Sequence, residues 1–348
     1  MIVLAPTALP AEEDAGWAPG NAWDTRKSLF SSKVSAALAF FAMLSNAPPP
    51  MATGKSRLVD LVPRFLSALV LMAVALFSLW QGGTIFVIAW LAASLAVFWE
   101  WQILIDGMRP LLRFLLGGAA LAISAFLLDH GEAALACVVP FFAFFPIALA
   151  AGSGRRIWAG AGLLYAGALL VSVCVLRASA PLGTLAIVWL FATVWGTDVF
   201  AYFGGRLIGG PKLWRRISPS KTWSGTLTGV LCGAILGTAI VGGAFRAGAE
   251  WALPASLFPS DKWVAIWPVF LLGLVTAIVS QGGDIFESWI KRRFGVKDSS
   301  HLIPGHGGFM DRLDGFTAGT VFAALVGLLH WLAADGIVSL GAGLFFWF

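Results

Sequence analysis

Three segments hold most of the residues able to do chemistry. In SQGGDIFESWIKRRFGVKD, starting at Ser280, Asp284, Glu287, Ser288 and Lys291 recur at helical spacing. One helix face would then carry two acids, a hydroxyl and an amine. An intrahelical Glu–Lys pair accounts for Glu287 and Lys291 but leaves Asp284 without a reason. In IPGHGGFMDRLDG, Gly305, Gly307 and Gly308 would let the backbone approach a ligand closely, and Asp311 and Asp314 share a helical face. Acids there could also cap the helix or favour its dipole. In WGTDVFAYFGGRLIGGPKLWRRISPSKTWSG, Asp198 falls in an apolar helix, where a carboxylate costs about 2.5–3.5 kcal/mol. Tyr202 follows one turn later, glycines 204, 205, 209 and 210 allow tight turns, and hydroxyls flank Lys221 before the next helix. A capped helix start with lysines on the cytoplasmic side explains that last feature equally well.

Asp284, Asp311 and Asp314 make three carboxylates at one membrane edge among many cations. Hard oxygen donors of this kind suit Mg²⁺, which takes one or two carboxylates plus substrate phosphates. Nucleotidyl or phosphoryl transfer is the chemistry that follows. The glycines do not form a P-loop, because no G-x-x-x-x-G-K-[ST] occurs, and no strand–turn–helix unit makes GGRLIGG a dinucleotide fingerprint.

The elements that must position these residues are membrane helices. The chain has 348 residues, of which 59% are hydrophobic and 12% charged. Its mean hydropathy is +0.85, too apolar for an ordinary soluble domain. The apolar runs are continuous, so the expected fold is an all-α polytopic membrane protein and not a barrel. Nine spans fall at about 64–80, 84–104, 111–128, 133–151, 157–176, 181–203, 223–245, 263–287 and 315–334. With the N-terminus in the cytoplasm, every Lys and Arg except Arg177, Arg246 and Lys262 lies on the cytoplasmic side. The positive-inside rule therefore accounts for the net charge of +5 without nucleic acid. Both motif loops, after the sixth and eighth spans, share that side. We divide the chain into an extension (1–60) expected to be disordered, N-terminal membrane helices (61–180) and a catalytic membrane region (181–348). Within the extension, Val34–Leu44 is short for a span and precedes three prolines, so residues 1–50 are expected to be dispensable, with a natural start near Met51. Cys137, Cys174 and Cys232 fall inside spans and are expected to be small buried side chains. Glu100, Asp106, Asp129 and Glu132 are expected to be ordinary helix-end charges, which leaves the first half chemically bland.

S-x-x-K-R, K-D and I-P-G-H-G-G-x-x-D-R-x-D, between Ser288 and Asp314, resemble the signature of phosphatidate cytidylyltransferases (CDP-diacylglycerol synthases). D-x-x-A-Y-x-x-G at Asp198–Gly205 and S-P-x-K-T-x-x-G at Ser218–Gly225 are similar to further patterns of that family. The motif-bearing region spans about residues 195–315, while the first half is similar only in its hydropathy. Two departures are Ser224, acidic in many members, and Ser220, often basic or Asn. The resemblance implies the Mg²⁺-dependent reaction of CTP with phosphatidic acid in the bilayer, giving CDP-diacylglycerol and pyrophosphate. It implies Asp284, Asp311 and Asp314 at the metal centre, with K⁺ as a candidate beside Mg²⁺. Lys291 joins these three aspartates as a catalytic residue. Lys221, Lys291, Arg292 and Lys297 would hold phosphates, and Ser218, Thr222 and Ser288 would add hydroxyl contacts. Asp198 and Arg312 complete the expected substrate-binding set. His306 would bond the nucleotide, carry a proton or fix the glycine turn. A homodimer is left open, and a multi-pass place in the cytoplasmic membrane is expected.

Two other readings compete. A CTP-dependent polyprenol or lipid kinase would share the metal and nucleotide but transfer the γ-phosphate. An ion transporter would use Asp198 and Asp284 as ligands, but the first half lacks the interrupted helices of an inverted repeat.

Overall fold

Apolar runs of about 20 residues become helices because lipid leaves each backbone N–H and C=O to be satisfied within its own segment. In the computed structural model these are α1 (Leu61–Gln81), α2 (Gly83–Leu104), α3 (Pro110–Asp129), α4 (Ala133–Ala150), α5 (Arg156–Ala178), α6 (Gly183–Leu207), α7 (Trp223–Arg246), α8 (Ile266–Arg293) and α9 (Met310–Ala333). The residues described are 61–106, 109–247, 266–300, 302, 307–336 and 339–345, with side chains from Ser67 onward. The extension 1–60, Gly305 and His306 lie outside them. Helices α2 to α9 are long and apolar enough to cross a bilayer, while the described side chains of α1, Ser67–Gln81, cover a shorter apolar stretch. The chain is thus an all-α polytopic membrane protein with one small addition. Strands β1 (Lys212–Trp214) and β2 (Ser218–Thr222) form an antiparallel hairpin between α6 and α7, pairing Lys212 with Thr222 and Trp214 with Ser218.

Helix ends put the motif residues in place. Thr222 closes β2 and caps α7, its hydroxyl accepting the Gly225 N–H at 3.2 Å. Helix α8 continues past the expected end of the span at 287, as the helical spacing through Lys291 implies, and ends on Lys291, Arg292 and Arg293, which complement the negative end of its dipole. Helix α9 begins at Met310, so Asp311 and Asp314 occupy its opening turns.

Two tight contacts position the helices that carry the motifs. Gly225, Gly229, Gly233 and Gly237 form one small-residue ridge on α7, seated on α6. A Cβ at Gly225 would stand 2.6 Å from the Ala201 carbonyl oxygen, and one at Gly229 would stand 2.5 Å from that of Thr197. Gly204 and Gly205 belong to the same contact. Expected as turn glycines, they lie inside α6, where a side chain at Gly204 would strike Thr228. Between α8 and α9, a Cβ at Gly283 would meet the Asp314 carbonyl oxygen at 2.7 Å, and one at Gly315 would meet Asp284 Oδ1 at 2.5 Å. Behind these pairs, Phe316 of α9 stacks on Trp90 of α2 with centroids 5.1 Å apart, and packs on Phe191 of α6 at 5.2 Å.

The motif-bearing ends of α6, α7, α8 and α9 meet the end of α2 and the start of α5 at one end of the bundle. Trp101 Nε1 donates to the Trp158 carbonyl at 2.7 Å, and the Arg155 guanidinium lies over the Phe294 ring. At the other end, Arg177 Nη2 donates to the Leu79 carbonyl at 3.1 Å. All three cysteines are free. Cys174 is buried and Cys232 partly so, but Cys137 is exposed on α4, contrary to expectation. An outward face of a membrane helix can be apolar without being buried in protein, because lipid takes the place of the core.

Candidate active site

A cavity of about 350 Å³ opens between the end of α6, strand β2, the start of α7 and the middle of α8. Lys221, delivered by β2, is its central cation. Its Nζ pairs with Asp284 Oδ2 and donates to Gln281 Oε1 at 3.0 Å. Gln281 Nε2 in turn reaches Asp198 Oδ1 at 3.4 Å, so a polar chain joins α6, β2 and α8 across the cavity floor. Tyr202 and Thr222 also line it. The Asp314 carboxyl, from α9, is close enough to Asp284 for their charges to interact.

A second group lies one turn further along α8. Lys291 Nζ stands 2.7 Å from Glu287 Oε2 and 2.6 Å from Asp311 Oδ1. The intrahelical Glu–Lys pair therefore exists, but it is half of a three-membered set. The other oxygen of Asp311, Oδ2, accepts from Ser299 N at 3.2 Å, Ser299 Oγ at 3.0 Å and Gly308 N at 2.9 Å. Glu287 and Asp311 thus share one ammonium.

Glu100 differs most from expectation. It is fully buried, not a charge at a wet helix end. Oε1 accepts from Ser300 Oγ at 2.6 Å and Phe309 N at 2.9 Å. Oε2 accepts from Ser299 Oγ at 3.0 Å and Met310 N at 2.8 Å. Its position one residue before Trp101, near the end of an apolar run, suggests a snorkelling charge. Only the fold shows its partners. Gln281 was also missed, because a neutral amide beside two glycines gives no sequence signal of a bridging role.

The glycines before α9 do a different task from the one expected. Gly307 adopts φ 81°, and a Cβ there would stand 2.7 Å from Asp311 Oδ2. A side chain at Gly308 would run into Ser299 Oγ and the Glu100 carboxylate. The room they leave is taken by the protein's own carboxylates.

The remaining expected residues are spread around these two groups. Ser218 is buried in the hairpin and Ser288 is half-buried on α8. Thr222 combines its cap with a place on the cavity wall. Ser224, one of the two departures, donates from its hydroxyl to the Gly209 carbonyl and ties the start of α7 to the turn after α6. Arg292 and Lys297 are exposed, with Arg292 Nη1 3.5 Å from the Val296 carbonyl. Arg312 is exposed at the start of α9, close enough to Asp198 for their charges to interact.

Asp284, Asp311 and Asp314 do not form one open donor set. Among the described residues, no group of three or more His, Cys, Asp or Glu side chains is arranged around a common metal position. Asp311 has both oxygens engaged, whereas Asp284 lines the cavity with Asp314 close enough for their charges to interact. Two adjoining carboxylates next to space for phosphate oxygens fit the Mg²⁺ preference for one or two acids plus substrate.

The cytidylyltransferase family model matches residues 62–330. A phosphatidate cytidylyltransferase of Brucella suis biovar 1 (strain 1330) is 41% identical over 272 residues, covering 78% of this chain and 94% of the relative. The protein of the same name from Rickettsia bellii (strain RML369-C) is 36% identical over 144 residues, 41% of this chain and 58% of the relative. That of Staphylococcus haemolyticus (strain JCSC1435) is 41% identical over 130 residues, 37% of this chain and 44% of the relative.

Proposed function

The chain belongs to the cytidylyltransferase family, and from that premise we propose how its residues carry out the family's reaction. The protein is a membrane-embedded phosphatidate cytidylyltransferase, converting CTP and phosphatidic acid into CDP-diacylglycerol and pyrophosphate. The observation that carries the site assignment is the meeting of Lys221 and Asp284 at a cavity of about 350 Å³ on the bundle end that bears all three motifs.

A phosphatidate oxygen attacks the α-phosphorus of CTP in line, and pyrophosphate leaves. Phosphate is already a competent nucleophile, so the chain needs no strong base. Its residues act by positioning and electrostatics. Lys221 turns from Asp284 to the triphosphate, and Arg312 adds a cation from the start of α9. Lys291 holds Asp311 and Glu287, fixing the turn before α9 and with it Asp314. Asp284 and Asp314 would hold Mg²⁺, which when bound neutralises charge developing on the phosphates. The diacyl chains stay in lipid while the headgroup reaches this edge. The charge distribution supports a cytoplasmic address for the site, where CTP is found.

Purified protein supplied with phosphatidic acid and CTP labelled in the α-phosphate tests the reading. Label should appear in CDP-diacylglycerol with release of pyrophosphate, and only with Mg²⁺ present. Release of labelled CDP with an unlabelled lipid product would instead indicate a lipid kinase.

A further inference from the structure

Glu100 lies in the half of the chain that carries no motif, yet its carboxylate contacts the turn that carries the most motif residues. It is a fully buried acid near the end of an apolar helix, with two hydroxyls and two main-chain amides as its hydrogen-bond donors. A buried carboxylate is costly unless donors surround it, and bonds to an ionised acceptor are stronger than neutral ones. The two amides, Phe309 and Met310, belong to the start of α9, where helical N–H groups have no partner within the helix. Glu100 therefore caps α9 from a distant part of the chain. Ser299 Oγ stands 3.0 Å from both Glu100 Oε2 and Asp311 Oδ2, and its single hydrogen serves one of them at a time. Asp311 is thereby linked to Glu100 through one hydroxyl, and Gly308 must lack a side chain for the carboxylate to fit.

We infer that Glu100 is a positioning residue for nucleotidyl transfer: it fixes the first turn of α9 and so sets where Asp311 and Asp314 stand relative to Asp284. This rests on the function proposed above. Glu100 is fully buried and does not line the cavity. Displacing a reacting group by about 1 Å can cost about a hundredfold in rate, so its loss should lower kcat. KM for phosphatidate should change little, because Glu100 is not among the residues that line the cavity.

The test combines kinetics with amide hydrogen exchange at Phe309 and Met310 in the substrate-free protein. E100Q keeps the volume but replaces an acceptor oxygen with a donor. It should accelerate exchange at both amides and lower kcat by about tenfold to a hundredfold, with KM for phosphatidate within about twofold. Ser300→Ala removes one of the four bonds and carries little risk to folding. It should lower kcat a few-fold in the wild-type background and cause no further loss when combined with E100Q, because both act through one contact. Should E100Q not fold, exchange and kcat in Ser300→Ala decide the matter alone, and wild-type values for both overturn the proposal. It is equally overturned if E100Q exchanges like wild type, if kcat is unchanged, or if the two substitutions add independently. Exchange needs no turnover. A wild-type protein inactive on CTP and phosphatidate would sink the functional reading while the exchange data still judged the hold of Glu100 on α9.

Discussion

The two lysine-centred groups that α8 helps to build are alike in composition but differ in their surroundings. Lys221 and Asp284 meet at the wall of an open cavity, with side chains 23% and 14% exposed. Lys291, 13% exposed, has two acids to hold: a Glu287 side chain only 2% exposed and an Asp311, 12% exposed, already committed to Ser299 and Gly308. An ion pair beside open space can exchange its partner for a phosphate at little cost. An enclosed pair cannot, because removing one member strands charge away from water. The proposed roles follow from that difference: the first group would bind and the second would hold the shape of the turn.

Substituting each lysine should separate these roles. Lys291→Ala leaves Glu287 and Asp311 buried without their cation and should destabilise the protein by about 3–5 kcal/mol. A thermal melt in detergent measures this, and a melting temperature like that of wild type would place Lys291 with the binding group instead. Lys221→Ala should have the opposite signature. Asp284 is only 14% exposed, but it borders the cavity, so the melt should move by less than in Lys291→Ala, while KM for CTP rises about tenfold as one charge-assisted phosphate contact is lost. Steady-state kinetics across a CTP series reads it. The smallest effect is expected from Lys297→Ala, whose exposed ammonium is screened by solvent, raising KM for CTP by no more than about threefold. A larger rise would extend the binding group beyond the cavity.

The helices were legible because each bilayer crossing demands a long apolar run, and most boundaries fell within a few residues. Helix α8 continued further because Lys and Arg are good helix formers and sit well at a helix C-terminus. The β1–β2 hairpin was not legible, since strands of three and five residues are too short to show alternation. Asp284 could be singled out because a Glu287–Lys291 pair leaves it without a reason, but its partner Lys221, 63 residues earlier, could not be assigned to it. Glu100 was misread for the same reason in stronger form. Its serine partners lie 199 and 200 residues away, and a single acid at the end of an apolar run looks like any snorkelling charge. Gly204 and Gly205 have the composition of a turn, and only the packing of α6 on α7 shows that they are helical.

Asp284 lies where the lysine pair, the cavity and Asp314 meet, and its substitution tests the account most directly. Purified Asp284→Asn protein, reconstituted with phosphatidic acid and given labelled CTP and Mg²⁺, should form CDP-diacylglycerol at least about a thousandfold more slowly than wild type. It should insert into membranes and melt like wild type. A wild-type rate of CDP-diacylglycerol formation by Asp284→Asn would contradict the account.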